Sequence, residues 1–130
     1  MINKLLVALV LSVASHNAMA KWAPVGSNKN YTAYADLSTI TKSGEMVKMW
    51  GLNDLKVPSE TFNKKKFLSY KFQQEYECKG EKTRFLSLVK LSGAMGTGDV
   101  VYRAAGVDGW APVSNSGVGR AMWKAACNKK

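Results

Sequence analysis

The one histidine of this 130-residue chain, His16, lies in an apolar leader, so residues 21–130 contain none. That removes Ser–His and Cys–His nucleophile pairs, histidine-ligated metals and the usual base near neutral pH. Carboxylates are the next candidates. Glu75 and Glu77 stand two apart in an alternating stretch. On a strand they would share one side about 7 Å apart, a spacing also found between paired glycosidase carboxylates. They would share it with Ser69 and Lys71, however, which predicts a solvated face with both groups ionised. Gly93-Ala-Met-Gly96-Thr-Gly98 has the look of a phosphate loop. Phosphate fingerprints need a helix immediately afterwards, and Asp99-Val-Val-Tyr102 reads as a strand. The glycines therefore predict a turn with positive φ. Neither an enzyme nor a bound cofactor or metal is expected.

Binding chemistry is better supplied. The chain has 19 Lys and Arg against 9 Asp and Glu. All but Lys4 lie beyond residue 20, which leaves a net charge of +9 there and favours anionic partners. Lys64, Lys65 and Lys66 form a run just before the clearest strand, and Lys79, Lys82, Arg84 and Lys90 lie around the hairpin that follows. If the strands pair, these cations can converge on one exposed region, a candidate site for an acidic partner. The plainer alternative is solvated lysine. Of the four tryptophans, Trp50 and Trp123 are expected in the core and Trp110, beside Asp108-Gly109 and Pro112, partly exposed.

The elements that position these residues begin after a leader. Lys4, the apolar run Leu5–Ala14 and Ala18-Met19-Ala20 form the pattern of a secretory signal. Residues 1–20 are expected to be removed, leaving a single domain at 21–130. The apolar run is too short to span a bilayer, and no integral membrane segment is expected in 21–130. No cysteine lies near the cleavage point, so no lipid anchor is expected. Export makes acidic proteins and acidic glycans the expected partners and argues against nucleic acid. It also places the two cysteines, Cys78 and Cys127, where disulfides persist. One intramolecular pairing is available; the alternative is two free thiols or an intermolecular bridge.

Phe67–Cys78 (FLSYKFQQEYEC) alternates, with Leu68, Tyr70, Phe72, Gln74, Tyr76 and Cys78 on the core side. Thr83–Leu91 follows a Lys79-Gly80-Glu81 turn and predicts the other half of a hairpin. Tyr31–Ala35, Val47–Leu52 and Val100–Ala105 read as further strands. Only the end reads as a helix, with Ser116 as its cap, Val118, Met122 and Ala125 on one face, and Arg120 and Lys124 opposite. The expected class is α+β: a small antiparallel β-sheet with a C-terminal helix held by one disulfide.

An ordered set of residues carries a family resemblance. It comprises Trp22, Tyr34-Ala-Asp36, Ile40, Gly44, Val47-Lys-Met-Trp50-Gly-Leu52, Ser69-Tyr-Lys71 and Glu75-Tyr-Glu-Cys78. It continues with Arg84-Phe-Leu-Ser-Leu88, Gly93-Ala-Met-Gly96, Gly98-Asp-Val-Val101, Trp110-Ala-Pro112-Val and Cys127. Together these resemble the surface-adhesin protein E family of exported bacterial proteins. The resemblance implies the same sheet, helix and disulfide, and adhesion to host extracellular-matrix proteins. The resulting expectation is a non-catalytic binding module of the cell envelope, periplasmic, secreted or cell-surface. A soluble periplasmic accessory protein, such as an inhibitor or envelope-assembly factor, is the second expectation.

Overall fold

The computed structural model describes residues 21–129; the expected signal segment, residues 1–20, lies outside them. Among the described residues seven strands and one α-helix follow in order: β1 (Ala23–Ser27), β2 (Tyr31–Ser43), β3 (Met46–Glu60), β4 (Lys66–Glu77), β5 (Lys82–Leu91), β6 (Val100–Ala105), β7 (Ala111–Pro112) and α1 (Gly117–Cys127). The first six form an antiparallel meander in chain order, and β7 pairs with the start of β5 beyond the reach of β6. Turn chemistry sets the corners. Gly44 (φ +61°) turns β2 into β3, and Glu81 (φ +53°) turns β4 into β5.

The meander leaves two faces, and α1 covers one of them over β1–β4. Val47, Met49, Phe72 and Tyr76 from the sheet pack with Met122, Trp123 and Ala126 from the helix. Gly51 allows the close approach: a Cβ there would stand 2.6 Å from the Phe72 ring and 2.7 Å from the Met122 methyl. Such overlap costs about 1–3 kcal/mol in a packed core. The Trp123 indole N–H donates to the Glu77 carbonyl at 3.3 Å. Cys78, just past β4, is bonded to Cys127 at the end of α1, with Cα atoms 5.6 Å apart. The α+β class and the disulfide agree with the sequence.

The differences have physical reasons. The first strand escapes notice because Ala23-Pro-Val-Gly-Ser27 is short and carries both Pro and Gly, residues depleted in strands; as an edge strand it tolerates the missing N–H. Strands β2 and β3 extend well past the apolar stretches that announced them, because their ends are exposed and polar. Ser116 precedes the helix, but its side chain makes no capping bond. Instead Arg120 Nε donates to the Ser114 carbonyl at 2.9 Å. The Arg120 guanidinium also lies over the Trp123 ring and pairs with Glu81, so it is no free solvent-facing charge. The largest correction concerns β4: Ser69 and Glu75, expected on a solvated face, are both buried.

Candidate functional site: the open face of the sheet

Pairing register fixes what stands on the face that α1 leaves uncovered. One row across the strands reads Tyr34, Leu52, Lys71, Val89, Arg103, and the adjacent row reads Asp36, Trp50, Gln73, Ser87, Ala105. Lys71 and Arg103 thus flank Val89, two strand spacings or about 10 Å apart. A shallow groove of about 330 Å³ runs over them, with Trp22, Trp50, Val89, Leu91 and Val100 among its walls. Trp50 is half-buried and lines this groove rather than the core. Asp36 lines it too, its carboxylate accepting from the Ser38 N–H and hydroxyl.

One end of this face is closed by the glycine segment. A 3₁₀ turn at Ala94–Gly96 folds over it, with Met95, Gly96 and Gly98 at positive φ. The Met95 N–H donates to Asp54 Oδ1 at 2.7 Å, and the Gly96 N–H donates to Ser69 Oγ at 2.8 Å. Ser69 Oγ in turn donates to the Gly93 carbonyl at 2.6 Å. The turn with positive φ is the expected one, but it is tied down by polar side chains of β3 and β4, which is why Ser69 is buried. Its amides bind protein oxygens, not a phosphate.

At the other end, Lys48, Glu75 and Arg84 form a row across β3, β4 and β5. Arg84 donates to Glu75 Oε1 through Nε at 2.8 Å and through its terminal nitrogen at 2.6 Å. The guanidinium also lies 4.3 Å from the centre of the Trp110 ring. Glu75 is therefore held in a buried ion pair with Arg84 rather than on a solvated face. Among the described residues the ion pairs are this one and Arg120–Glu81. Lys71 and Arg103 have no carboxylate partner there.

The structure divides the seven cations expected from the sequence among four places. Lys64, Lys65 and Lys66 sit at the β3–β4 tip, while Lys79 and Lys82 sit at the β4–β5 turn. Eleven strand steps, roughly 36 Å, separate those ends. Arg84 is held by Glu75 and Trp110. Lys90 is on the helix-side face, its Nζ 4.7 Å from the centre of the Phe67 ring and 5.1 Å from that of Tyr102. Proximity in sequence is a poor guide here because a long hairpin sends neighbours of its two ends apart. Lys71 and Arg103 were open to discovery from parity alone: both fall on the side of β4 and β6 away from the apolar alternation. The separate strands gave no sign that they share a row.

The comparisons bear on the whole domain. The sequence profile of surface-adhesin protein E matches residues 22–128. Among solved structures, crystal form II of Haemophilus influenzae protein E superposes with a TM-score of 0.60 at 13% identity, covering 85% of this chain and 97% of that one. Protein E from non-typeable Haemophilus influenzae gives 0.60 at 15% identity, covering 87% and 80%. Among curated proteins none matches. At such identities the structural likeness is one of fold; the profile match, which spans nearly all the described residues, shows that this chain belongs to the surface-adhesin protein E family.

Proposed function

We propose that this protein is a non-catalytic adhesin module, exported with loss of residues 1–20, whose open sheet face holds an acidic partner. One observation carries the reading: Lys71 and Arg103 stand in a single cross-strand row, without carboxylate partners among the described residues, in a groove lined by Trp22 and Trp50. Two cations about 10 Å apart beside half-buried indoles suit an extended polyanion with apolar surface of its own. An acidic glycan of the host extracellular matrix has that chemistry, since sugar rings pack against indole faces while their acidic groups meet the cations. Family membership supports the setting of an exported adhesin. The remaining exposed lysines, including Lys64–Lys66, Lys79 and Lys82, add a general positive field that speeds encounter without fixing register.

The test separates position from charge. Lys71→Gln/Arg103→Gln should weaken retention on immobilised heparin much more than Lys29→Gln/Lys42→Gln, although each removes two charges. Exposed charges more than about 8 Å from a bound group are largely screened at physiological ionic strength, so only cations in the groove should act strongly. Equal losses would overturn the open-face site. Antibody raised against the domain should also label intact cells; labelling only after the outer envelope is opened would favour a periplasmic accessory role.

A further inference from the structure

The β3–β4 hairpin reaches beyond the sheet at one end. Pairing of β2 with β3 stops at Tyr31–Leu55, and pairing of β4 with β5 stops at Ser69–Leu91. Past those points the Lys56 N–H still donates to the Asn30 carbonyl at 2.9 Å, and from there to the turn β3 pairs with β4 alone, through Ser59–Phe67 and Glu60–Lys66. Two large apolar side chains stand out on this projection. Phe62 is 83% exposed and Val57 is 70% exposed, the highest values among the large apolar residues described. Lys56, Lys64, Lys65 and Lys66 of the same segment are exposed, and Glu60 is the only carboxylate in 56–66.

The tip is built, not frayed. The Thr61 N–H donates to the Lys65 carbonyl and the Lys64 N–H to the Thr61 carbonyl, both at 2.9 Å. The Lys65 N–H donates to Thr61 Oγ1 at 3.2 Å, and Thr61 itself is buried. Lys64 takes the left-handed conformation (φ +63°) that closes the loop. A backbone this well satisfied holds an aromatic ring in water at the cost of its hydrophobic free energy. A single exposed ring in a lysine-rich segment joins an apolar group to a cluster of cations. It suits insertion among lipid acyl chains while long lysine side chains reach back to phosphates.

We propose that the 56–66 tip docks the protein on an anionic bilayer surface, with Phe62 and Val57 entering the interface and Lys56, Lys64, Lys65 and Lys66 meeting lipid phosphates. The site lies on a separate part of the molecule from the open-face groove and does not depend on it. Residues 21–130 with the disulfide intact are mixed with vesicles of phosphatidylcholine alone and of phosphatidylcholine with phosphatidylglycerol, and sedimented. Binding is expected on the anionic vesicles and not on the neutral ones. Replacing Lys64, Lys65 and Lys66 by Gln should weaken it roughly 100-fold, at about 1 kcal/mol per lysine near such a surface. Phe62→Ser should weaken it roughly tenfold or more, yet leave heparin retention unchanged. Since Phe62 is exposed, this variant should melt with the parent protein. Soluble glycerol phosphate should not compete, because the acyl phase is part of the site. Lack of binding to anionic vesicles, or binding indifferent to Phe62, would overturn the proposal. So would a loss from Lys29→Gln/Lys42→Gln/Lys48→Gln equal to that from the tip lysines, and so would capture of a protein at Phe62 in the absence of vesicle binding.

Discussion

Removing the Cys78–Cys127 bridge with Cys78→Ser/Cys127→Ser should lower the melting temperature by about 18 °C while leaving the native architecture in place. The cysteines are 49 residues apart, and closing a loop of that length removes about 14 cal/mol/K from the unfolded chain, or about 4 kcal/mol at 25 °C. A domain of this size unfolds with an entropy of about 0.23 kcal/mol/K, and the quotient is the expected shift. The effect lies in the unfolded state because α1 has other attachments. Met122, Trp123 and Ala126 remain buried against the sheet. The Trp123–Glu77 hydrogen bond and the Arg120–Glu81 pair do not involve sulfur. Far-UV circular dichroism during heating, on the variant and on wild type with and without reductant, provides the measurement. A shift under about 5 °C would refute the loop-entropy argument. Loss of the helix signal at 25 °C with the sheet retained would refute the claim that packing alone seats the helix.

Glu75→Ala should cost about 1–3 kcal/mol, because it leaves the half-buried Arg84 guanidinium without its acceptor; adding Arg84→Ala should bring a loss smaller than the sum of the two, measured by urea unfolding, and strict additivity would mean the pair is uncoupled. Burial pushes the Tyr76 hydroxyl well above its ordinary 10.0, and burial also raises Tyr70 against the opposing hydrogen bond from Asn53. Below pH 10 the native and unfolded states both hold these protons, so nothing is lost; above it the unfolded chain releases them first and stability falls as pH rises. Tyr76→Phe should therefore flatten the alkaline fall in urea stability, leaving the part due to Tyr70, and an unchanged slope would remove Tyr76 as its source.

How much of this was legible in the sequence depends on which neighbours decide a residue's environment. The Phe72–Tyr76 side of β4 was legible because a helix-covered face demands apolar residues every second position, and Phe72, Gln74 and Tyr76 are buried as that pattern requires. The same logic failed for Ser69 and Glu75. Alternation reports which face is apolar, not whether the polar face meets water. Here the glycine turn at Ala94–Gly96 seals Ser69, and Arg84 with Trp110 seals Glu75. Both covers come from later in the chain, across pairings that a single strand cannot announce. The disulfide was legible because two cysteines allow one pairing. Ends of strands were not, because exposed strand residues lose the alternation that marks them.

The candidate sites follow the same division. A cation's role in an antiparallel meander is set by two coordinates: its position along the strand and the row it shares. Sequence reveals the first and register supplies the second. Lys71 and Arg103 are 32 positions apart in the chain, yet stand in one row because β5 lies between them with Val89 opposite both. Lys66 and Lys82 bracket one strand and end up at its two ends. Parity then sorts what the rows bring together. Lys90 falls on the helix-side face among aromatic rings, while Lys71 and Arg103 fall on the open face. Among the cations behind the net charge of +9 on residues 21–130, topology thus sets apart a group at the tip, a pair in the groove and a pair at the β4–β5 turn. Those regions lie farther apart than the roughly 8 Å over which exposed charges act together in physiological salt, so each should respond to its own substitutions independently of the others.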